Sequence, residues 1–401
     1  MSTEAVHAAP RTLAGATILQ IVPALGHDAV AHTAFNTAYA LLQAGARAII
    51  AGETGALVEP LTSVGAEWIP LATATINPLK LRRNAGRIEQ LVISEHIDLV
   101  HAHSAGAAWS VVTAAARAPV LLVTSLPDVP AVGARLRTYF SRALARGDRI
   151  IAPSSYAARP VMEQFAIPPE RMAVIPRSID TDLYDPDAVE PDRVSALRKA
   201  WSIEAGNQVV LVPGRVAPWN GQDVVVEAAH ALLESGWQDV RFVLTGEDRS
   251  HRRYAGSVVK RAKELGVENL VRLVGHCRDM PAAYATANIV AIPALEPPLI
   301  GRAVAEAQAM GRPVITTNVG VMAENVAVPP LVPDELRTGW VVNAGDAIEL
   351  ANAVADALSL DGADYRRVAA RARQFAEYMF SPESVAAATC EVYTSLLSRD
   401  T

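Results

Sequence analysis

In the stretch PALEPPLIGRAVAEAQAMGRPV, residues 293–314, two carboxylates bracket a turn broken by prolines: Glu296 within the turn and Glu306 on the helix beyond it. A carboxylate accepts protons from two hydroxyl groups, and the spacing faces Glu306 outward from the first turns of its helix. The amides of Leu299, Ile300 and Gly301 precede that helix, where the free N–H groups of a helix N-terminus attract anions. Pro297 and Pro298 restrict φ and remove two amide donors from the turn, which limits how far Glu296 can reach. A second stretch, VPGRVAPWNGQD, sets Gly214 and Arg215 at a strand end. The guanidinium fork there suits a phosphate; the alternative is an arginine that faces solvent from a loop. His103 ends the strand of IDLVHAH, either as a ligand contact or as a histidine satisfied inside the fold.

Other chemistries find no support. No GxGxxG or GxxxxGK[ST] stands in register with a strand and a helix, so neither dehydrogenase nor P-loop chemistry is expected. His101 and His103 are two residues apart without partnering acids, too little for zinc, and no metal or other cofactor is expected. The chain has 2 cysteines, Cys277 and Cys390, which build neither a disulfide framework nor a zinc site.

The elements that position these residues alternate. ATILQIV is an apolar run followed by the helix-like AVAHTAFNTAYALLQAGA, and strand-like and helix-like segments then succeed one another to RMAVIP. Short apolar strands separated by amphipathic helices indicate βαβ units and parallel sheets covered on both faces. RSIDTDLYDPDAVEPD, rich in acids and prolines, interrupts the rhythm and reads as a linker. The alternation restarts at QVVLVPG and runs to a helical C-terminus. The expected organisation is α/β, with two doubly wound Rossmann-like domains facing across a cleft. Its parts are a disordered start over 1–15, an N-terminal domain over 16–176, a linker over 177–195, a C-terminal domain over 196–378, and a final helix over 379–401. Ligands in such sheets bind beyond the carboxyl ends of the strands.

The length of 401 residues suits two or three domains, and 51% hydrophobic against 19% charged residues describes a well-packed chain. The N-terminus has neither a basic n-region nor an apolar h-region, and no apolar run approaches the roughly 20 residues that span a bilayer. A net charge of −6 argues against nucleic acid as a partner. The charge is uneven: the first 175 residues carry a small excess of Lys and Arg, concentrated in KLRRNAGR and RLRTYFSRALARGDR. In the second of these, Leu136, Tyr139, Phe140 and Leu144 interleave with arginines. Such a helix either lies on anionic lipid or packs its apolar side into its own domain.

Several phrases in order resemble the retaining glycosyltransferases of family 4, which have the GT-B fold, in the bacterial lipopolysaccharide and cell-surface polysaccharide branch. They are IDLVHAHSAGAAWS, ARGDRIIAPSSYAA, AVIPRSIDTDLYDP, VPGRVAPWNGQD, RLVGHCRDMPAAYATANIVAIP and EAQAMGRPVITTNVG, and the resemblance covers nearly the whole chain after residue 15. It implies that Arg215 binds the donor diphosphate, that Glu306 grips the ribose hydroxyls, and that Gly26, Gly214, Leu299, Ile300 and Gly301 bring backbone to the nucleotide sugar. Glu296 and His103 become candidates for contact with the reacting sugar or its acceptor. A helix at the C-terminus, SPESVAAATCEVYTSLL, is implied to cross back onto the first domain.

The sequence departs from the family pattern around this centre. Asn220 replaces the usual second phosphate cation, a lysine, and can donate a hydrogen bond without supplying charge. PALGHDAVA keeps only Gly26 of a paired glycine, followed by His27 and Asp28, which cap the next helix, contact an acceptor or face solvent. Pro127 replaces a histidine, Pro298 replaces the loop glutamate of a Glu-x7-Glu pattern, and Val321 replaces a glycine beside the retained Gly320 and Glu324. The resemblance implies metal-independent, retaining transfer from a nucleotide sugar to a glycan or lipid-linked acceptor in envelope polysaccharide or lipopolysaccharide synthesis. The expected setting is the cytoplasm, with peripheral contact at the anionic inner face of the membrane. The departures favour a second reading, a non-catalytic GT-B protein that binds a nucleotide, a glycan or a partner glycosyltransferase. A sugar-nucleotide epimerase or hydrolase ranks below both, because no carboxylate and histidine set suits general base work.

Overall fold

The apolar run TILQIVPA forms β1 (Thr17–Ala24), and its side chains divide between two cores with the two-residue period of a strand. Leu19 and Ile21 pack on one face of the sheet, Ile18 and Val22 on the other. The computed structural model describes residues 12–126, 142–247, 250–297 and 301–398. Around β1 lie β2 (Arg47–Glu53), β3 (Glu67–Pro70), β4 (Leu99–Ala102), β5 (Leu121–Ser125), β6 (Arg149–Ala152) and β7 (Met172–Val174). The order is β3-β2-β1-β4-β5-β6-β7, with every pairing parallel. Asp28, Ser104 and Ser154 cap the helices after β1, β4 and β6 by accepting the backbone N–H three residues on. Asp28 thus takes the first of its expected roles, while His27 beside it is exposed.

The second sheet has six parallel strands: β8 (Gln208–Pro213), β9 (Val240–Thr245), β10 (Val271–Gly275), β11 (Ile289–Ile292), β12 (Val314–Thr317) and β13 (Gly339–Val342). Their order is β10-β9-β8-β11-β12-β13. Val210 and Val212 of β8 enter one core with the helices Gln222–Glu234 and Ala347–Leu358; Val209 and Leu211 enter the other with the helices Arg302–Ala309 and Gly362–Phe380. Each such fully buried aliphatic side chain contributes about 1.5–3 kcal/mol.

The chain divides into two units, Met1–Ser178 with Pro382–Thr401, and Ile179–Ser381. The stretch expected as a linker over 177–195 is not one. Ile179 and Tyr184 are buried in the core of the second unit, and Arg193 pairs with Asp279 at 2.6 Å. Acids and prolines dominate that stretch, but its few apolar residues find a core. The helix Pro382–Leu397 packs Val385, Cys390, Tyr393 and Leu396 into the first unit's core beside Ala34, Ala38 and Leu41. No helix among the described residues is long and apolar enough to cross a membrane.

Candidate functional site

In both sheets the strand order reverses direction once, between β1 and β4 and between β8 and β11. At such a point the two following connections leave to opposite faces and open a crevice beyond the carboxyl ends. The helices after β8 and β11 do pack on opposite faces of their sheet. The crevice there is a recess of about 150 Å³ whose walls include Gly214, Asn220, Pro293, Gly301 and Met322. That is room for a phosphate-sized group; whole ligand sites run to about 300–1,000 Å³.

The loop after β8 is shaped by glycine. Gly221 has φ 71°, and a Cβ there would collide with the carbonyl of Pro293 on the facing loop. Only glycine combines that conformation with so close an approach. The N–H groups of Leu295 and Glu296 donate to the carbonyl of Trp219 at 2.8 and 3.3 Å, joining the loops after β11 and β8. Arg215 lies on this loop with an exposed side chain and no side-chain partner among the described residues. Its own carbonyl accepts from Asn220 Nδ2 at 2.7 Å and Gln222 Nε2 at 3.0 Å. Asn220 therefore braces the arginine loop, a role that its expected contact with phosphate did not include. Glu296 is exposed, one turn of loop from the recess, and its carboxylate has no partner among the described residues. Leu299, Ile300 and Pro298 lie outside the described residues, as do Pro127 and the first part, 135–141, of the arginine-rich stretch RLRTYFSRALARGDR.

Glu306 corrects the expectation of an open carboxylate. It is only 7% exposed, on the inner side of the helix Arg302–Ala309. The Tyr284 hydroxyl donates to Oε2 at 3.0 Å, and Arg302 Nε donates to Oε1 at 2.6 Å. The reason is local: Arg302 sits one helical turn earlier, and Tyr284 faces the helix from Met280–Thr286. Burial and then the Glu306 charge push the Tyr284 hydroxyl well above its ordinary range, so it stays a donor. Burial also opposes the charge on Arg302, but Glu306 more than offsets this and raises the guanidinium. The Arg302 side chain remains 61% exposed. Sequence reasoning passed over Arg302, although its place beside Gly301 and four residues before Glu306 was readable.

At the reversal point of the first sheet, Gly26 lies on the loop after β1 and His103 follows β4. His103 is 7% exposed, and its expected contact with a sugar is corrected to an interior one. Gln20 Nε2 donates to the Ala34 carbonyl at 2.9 Å, so Gln20 Oε1 accepts from His103 Nε2 at 3.0 Å. This assigns the proton to Nε2 and leaves Nδ1 buried without a partner among the described residues. The His101 ring lies 3.8 Å away, centroid to centroid, bonded to the Tyr393 hydroxyl at 2.6 Å and to Ser125 Oγ at 2.8 Å. Burial, aided by Arg177, lowers His103 to about 3; burial and its charged neighbours hold His101 well below its ordinary value.

Residues 207–359 match the family model for Glycosyl transferases group 1, and residues 30–183 match that for Glycosyltransferase Family 4. Among curated proteins, the chain is similar to D-inositol 3-phosphate glycosyltransferases. That of Nocardiopsis dassonvillei is 30% identical over 58% of this chain and 57% of the relative. That of Streptomyces scabiei is 28% identical over 75% and 69%. The chain spans little more than half the length of the first curated relatives it matches. Among solved structures, a glycosyltransferase from Rickettsia africae superposes with a TM-score of 0.77 at 24% identity, over 96% of this chain and 100% of that one. HepE of Anabaena, in complex with UDP and glucose, superposes with a TM-score of 0.67 at 22% identity, over 95% and 100%. The two parallel sheets and the two matched segments agree: the chain belongs to the glycosyltransferases of family 4 and has their GT-B fold.

Proposed function

We propose that the protein transfers a sugar from a nucleotide donor to a hydroxyl acceptor, holding the donor diphosphate at the β8/β11 reversal point. The observation that carries this reading is the recess between Gly214 and Gly301, with the exposed guanidinium of Arg215, without a partner among the described residues, on its rim loop. Cleavage of the sugar–phosphate bond develops negative charge on the diphosphate, which fixed cations and N–H dipoles stabilise. Arg215 supplies one cation. Arg302, at the start of the helix beyond the recess, is paired with Glu306, so Arg215 acts with backbone N–H groups rather than with a second free cation. The exposed guanidinium of Arg215 beside this recess favours a working, metal-independent transferase over a protein that has lost its chemistry. Retention at the anomeric carbon follows the family resemblance. Glu296 is the exposed carboxylate on this rim and the candidate for contact with the donor sugar.

The acceptor belongs to one of two classes. The sequence resemblance favours a glycan or lipid-linked acceptor of the cell envelope, and the curated relatives are named for D-inositol 3-phosphate. Arg82, Arg83 and Arg87 are exposed along the helix Pro78–Ser94, and Arg142 and Arg146 are exposed further on; such charge suits a phosphorylated acceptor or an anionic membrane face. The test is donor turnover with a panel of UDP-, GDP-, ADP- and TDP-sugars against D-inositol 3-phosphate and lipid-linked glycans. Acceptor-dependent release of nucleotide that Arg215→Ala abolishes supports the proposal. Saturable donor binding without turnover on any acceptor sinks it and leaves the non-catalytic reading.

A further inference from the structure

A larger pocket lies at the other end of the second sheet, beside the amino end of the edge strand β13 and between the ends of the helices Ala347–Leu358 and Gly362–Phe380. Its volume is about 580 Å³, within the range of small-molecule sites. None of its walls belongs to the reversal-point site.

Its polar groups are incompletely matched. Trp340, 8% exposed, has an indole Nε1–H that is buried without an acceptor among the described residues. The Arg337 guanidinium stacks on this ring, its carbon 5.1 Å from the centroid, and Arg337 Nε–H is likewise buried without a partner among the described residues. Burial lowers Arg337 below its ordinary value despite the opposing field of Asp356. Arg371 donates through Nε to the Arg337 carbonyl at 3.2 Å, and its two terminal nitrogens have no partner among the described residues. On the acceptor side, Asp334 is bonded to Arg337 and Asp364 to Arg367, whereas Asp356 and Glu335 are without hydrogen-bond partners among the described residues. A donor left unmatched in a buried place is costly.

Unmatched donors and unmatched carboxylates in one pocket select the ligand class. An anion would accept from Trp340 and the arginines but would be repelled by Asp356 and Glu335. A cation would reverse the difficulty. Hydroxyl groups both accept and donate, and a neutral ligand suits a wall whose charges nearly cancel. We propose that this pocket is a second ligand site for a neutral polyhydroxylated molecule, a carbohydrate. Its oxygens accept from Trp340, Arg337 and Arg371 while its hydroxyl protons go to Asp356 and Glu335. The Trp340 face is already covered by Arg337, so the indole contributes its N–H edge rather than a stacking surface. Entry turns aside the rim pair of Arg337 with Asp334, whose side chain is 70% exposed. The inference does not depend on the transferase reading, since no residue is shared.

The test uses the full chain with ¹⁵N-labelled tryptophan, following the indole N–H resonances during titration with maltose, methyl α-glucoside and, separately, inorganic phosphate. Trp340→Phe identifies the Trp340 signal. The proposal expects the sugars to move that signal saturably, and Asp356→Asn or Arg371→Gln to weaken the response about 10- to 100-fold, as for a lost hydrogen bond to a charged group. Both variants alter partly exposed side chains, and the unshifted signals of the other tryptophans report that they fold. A signal unmoved by sugar, a signal moved by phosphate alone, or a sugar response indifferent to both substitutions overturns it.

Discussion

Lowering the pH from about 7.5 to about 5 is predicted to loosen the first unit through two buried histidines, in a range where carboxylates do not yet titrate. The ordinary value of 6.5 applies to His103 in the unfolded chain, whereas the folded chain holds it at about 3. Below 6.5 the unfolded state takes up a proton that the native state refuses. The stability from keeping this ring neutral is therefore intact above 6.5 and is lost progressively as pH falls toward 3. Over the 1.5 units between 6.5 and about pH 5, one such group costs about 2 kcal/mol. His101 shifts in the same direction and adds to the loss. Among the described residues no carboxylate is bonded to either ring; Gln20, Ser125, Tyr393 and the Arg177 charge surround the pair, and Arg177 further disfavours protonation. Carboxylates held low by arginines, such as Asp279 beside Arg193, lose their contribution only below their ordinary value of 3.8. Hydrogen exchange of the β1 and β4 amides under mild urea isolates the opening of this unit from that of the other. Opening free energies that fall between about pH 7.5 and about pH 5, with a shallower fall in His103→Gln, are expected. Equal values at both pH, or a His103→Gln slope as steep as that of the unchanged protein, refute the assignment.

Three further outcomes follow from the packing. Gly221→Ala, at φ 71° against the Pro293 carbonyl, should destabilise the second unit by about 1–3 kcal/mol and weaken donor binding together; a melting temperature equal to that of the parent contradicts the close approach. Glu306→Ala removes the acceptor for the buried Tyr284 hydroxyl and frees Arg302, so a loss of about 1–3 kcal/mol is expected in urea unfolding, with Glu306→Gln between the two. Tyr393→Phe removes the hydroxyl bonded to His101, and limited proteolysis of the C-terminal helix should quicken by a factor that corresponds to about 1–3 kcal/mol; an unchanged rate removes this bond from the docking of that helix.

The parallel α/β architecture was legible because the strands are short apolar runs separated by helix-length amphipathic segments, some opened by a capping side chain, as at Asp28 and Ser154. The positions of Gly214, Arg215 and Gly301 were legible for the same reason: they follow strands, and the strand order then brings their loops together. Roles that depend on distant partners were not legible. Tyr284, 22 residues before Glu306, closes off a carboxylate that helix spacing alone turned outward. Gln20, 83 residues from His103, fixes an interior ring whose place at a strand end suggested an open one. Ile179 and Tyr184 show why acidic, proline-rich composition misled: two apolar residues suffice to bind such a segment to a core. Asn220 illustrates a subtler loss, since a substitution that reads as weakened phosphate binding also braces the loop that carries Arg215.

The central claim, that the β8/β11 reversal point holds a nucleotide diphosphate, is tested most directly by calorimetry with the sugar-nucleotide panel on the parent protein and on Arg215→Ala. The account predicts saturable binding of at least one donor, weakened about 10- to 100-fold in Arg215→Ala, as for loss of a charged hydrogen bond to phosphate. Binding that is indifferent to Arg215, or no binding of any donor, would contradict it.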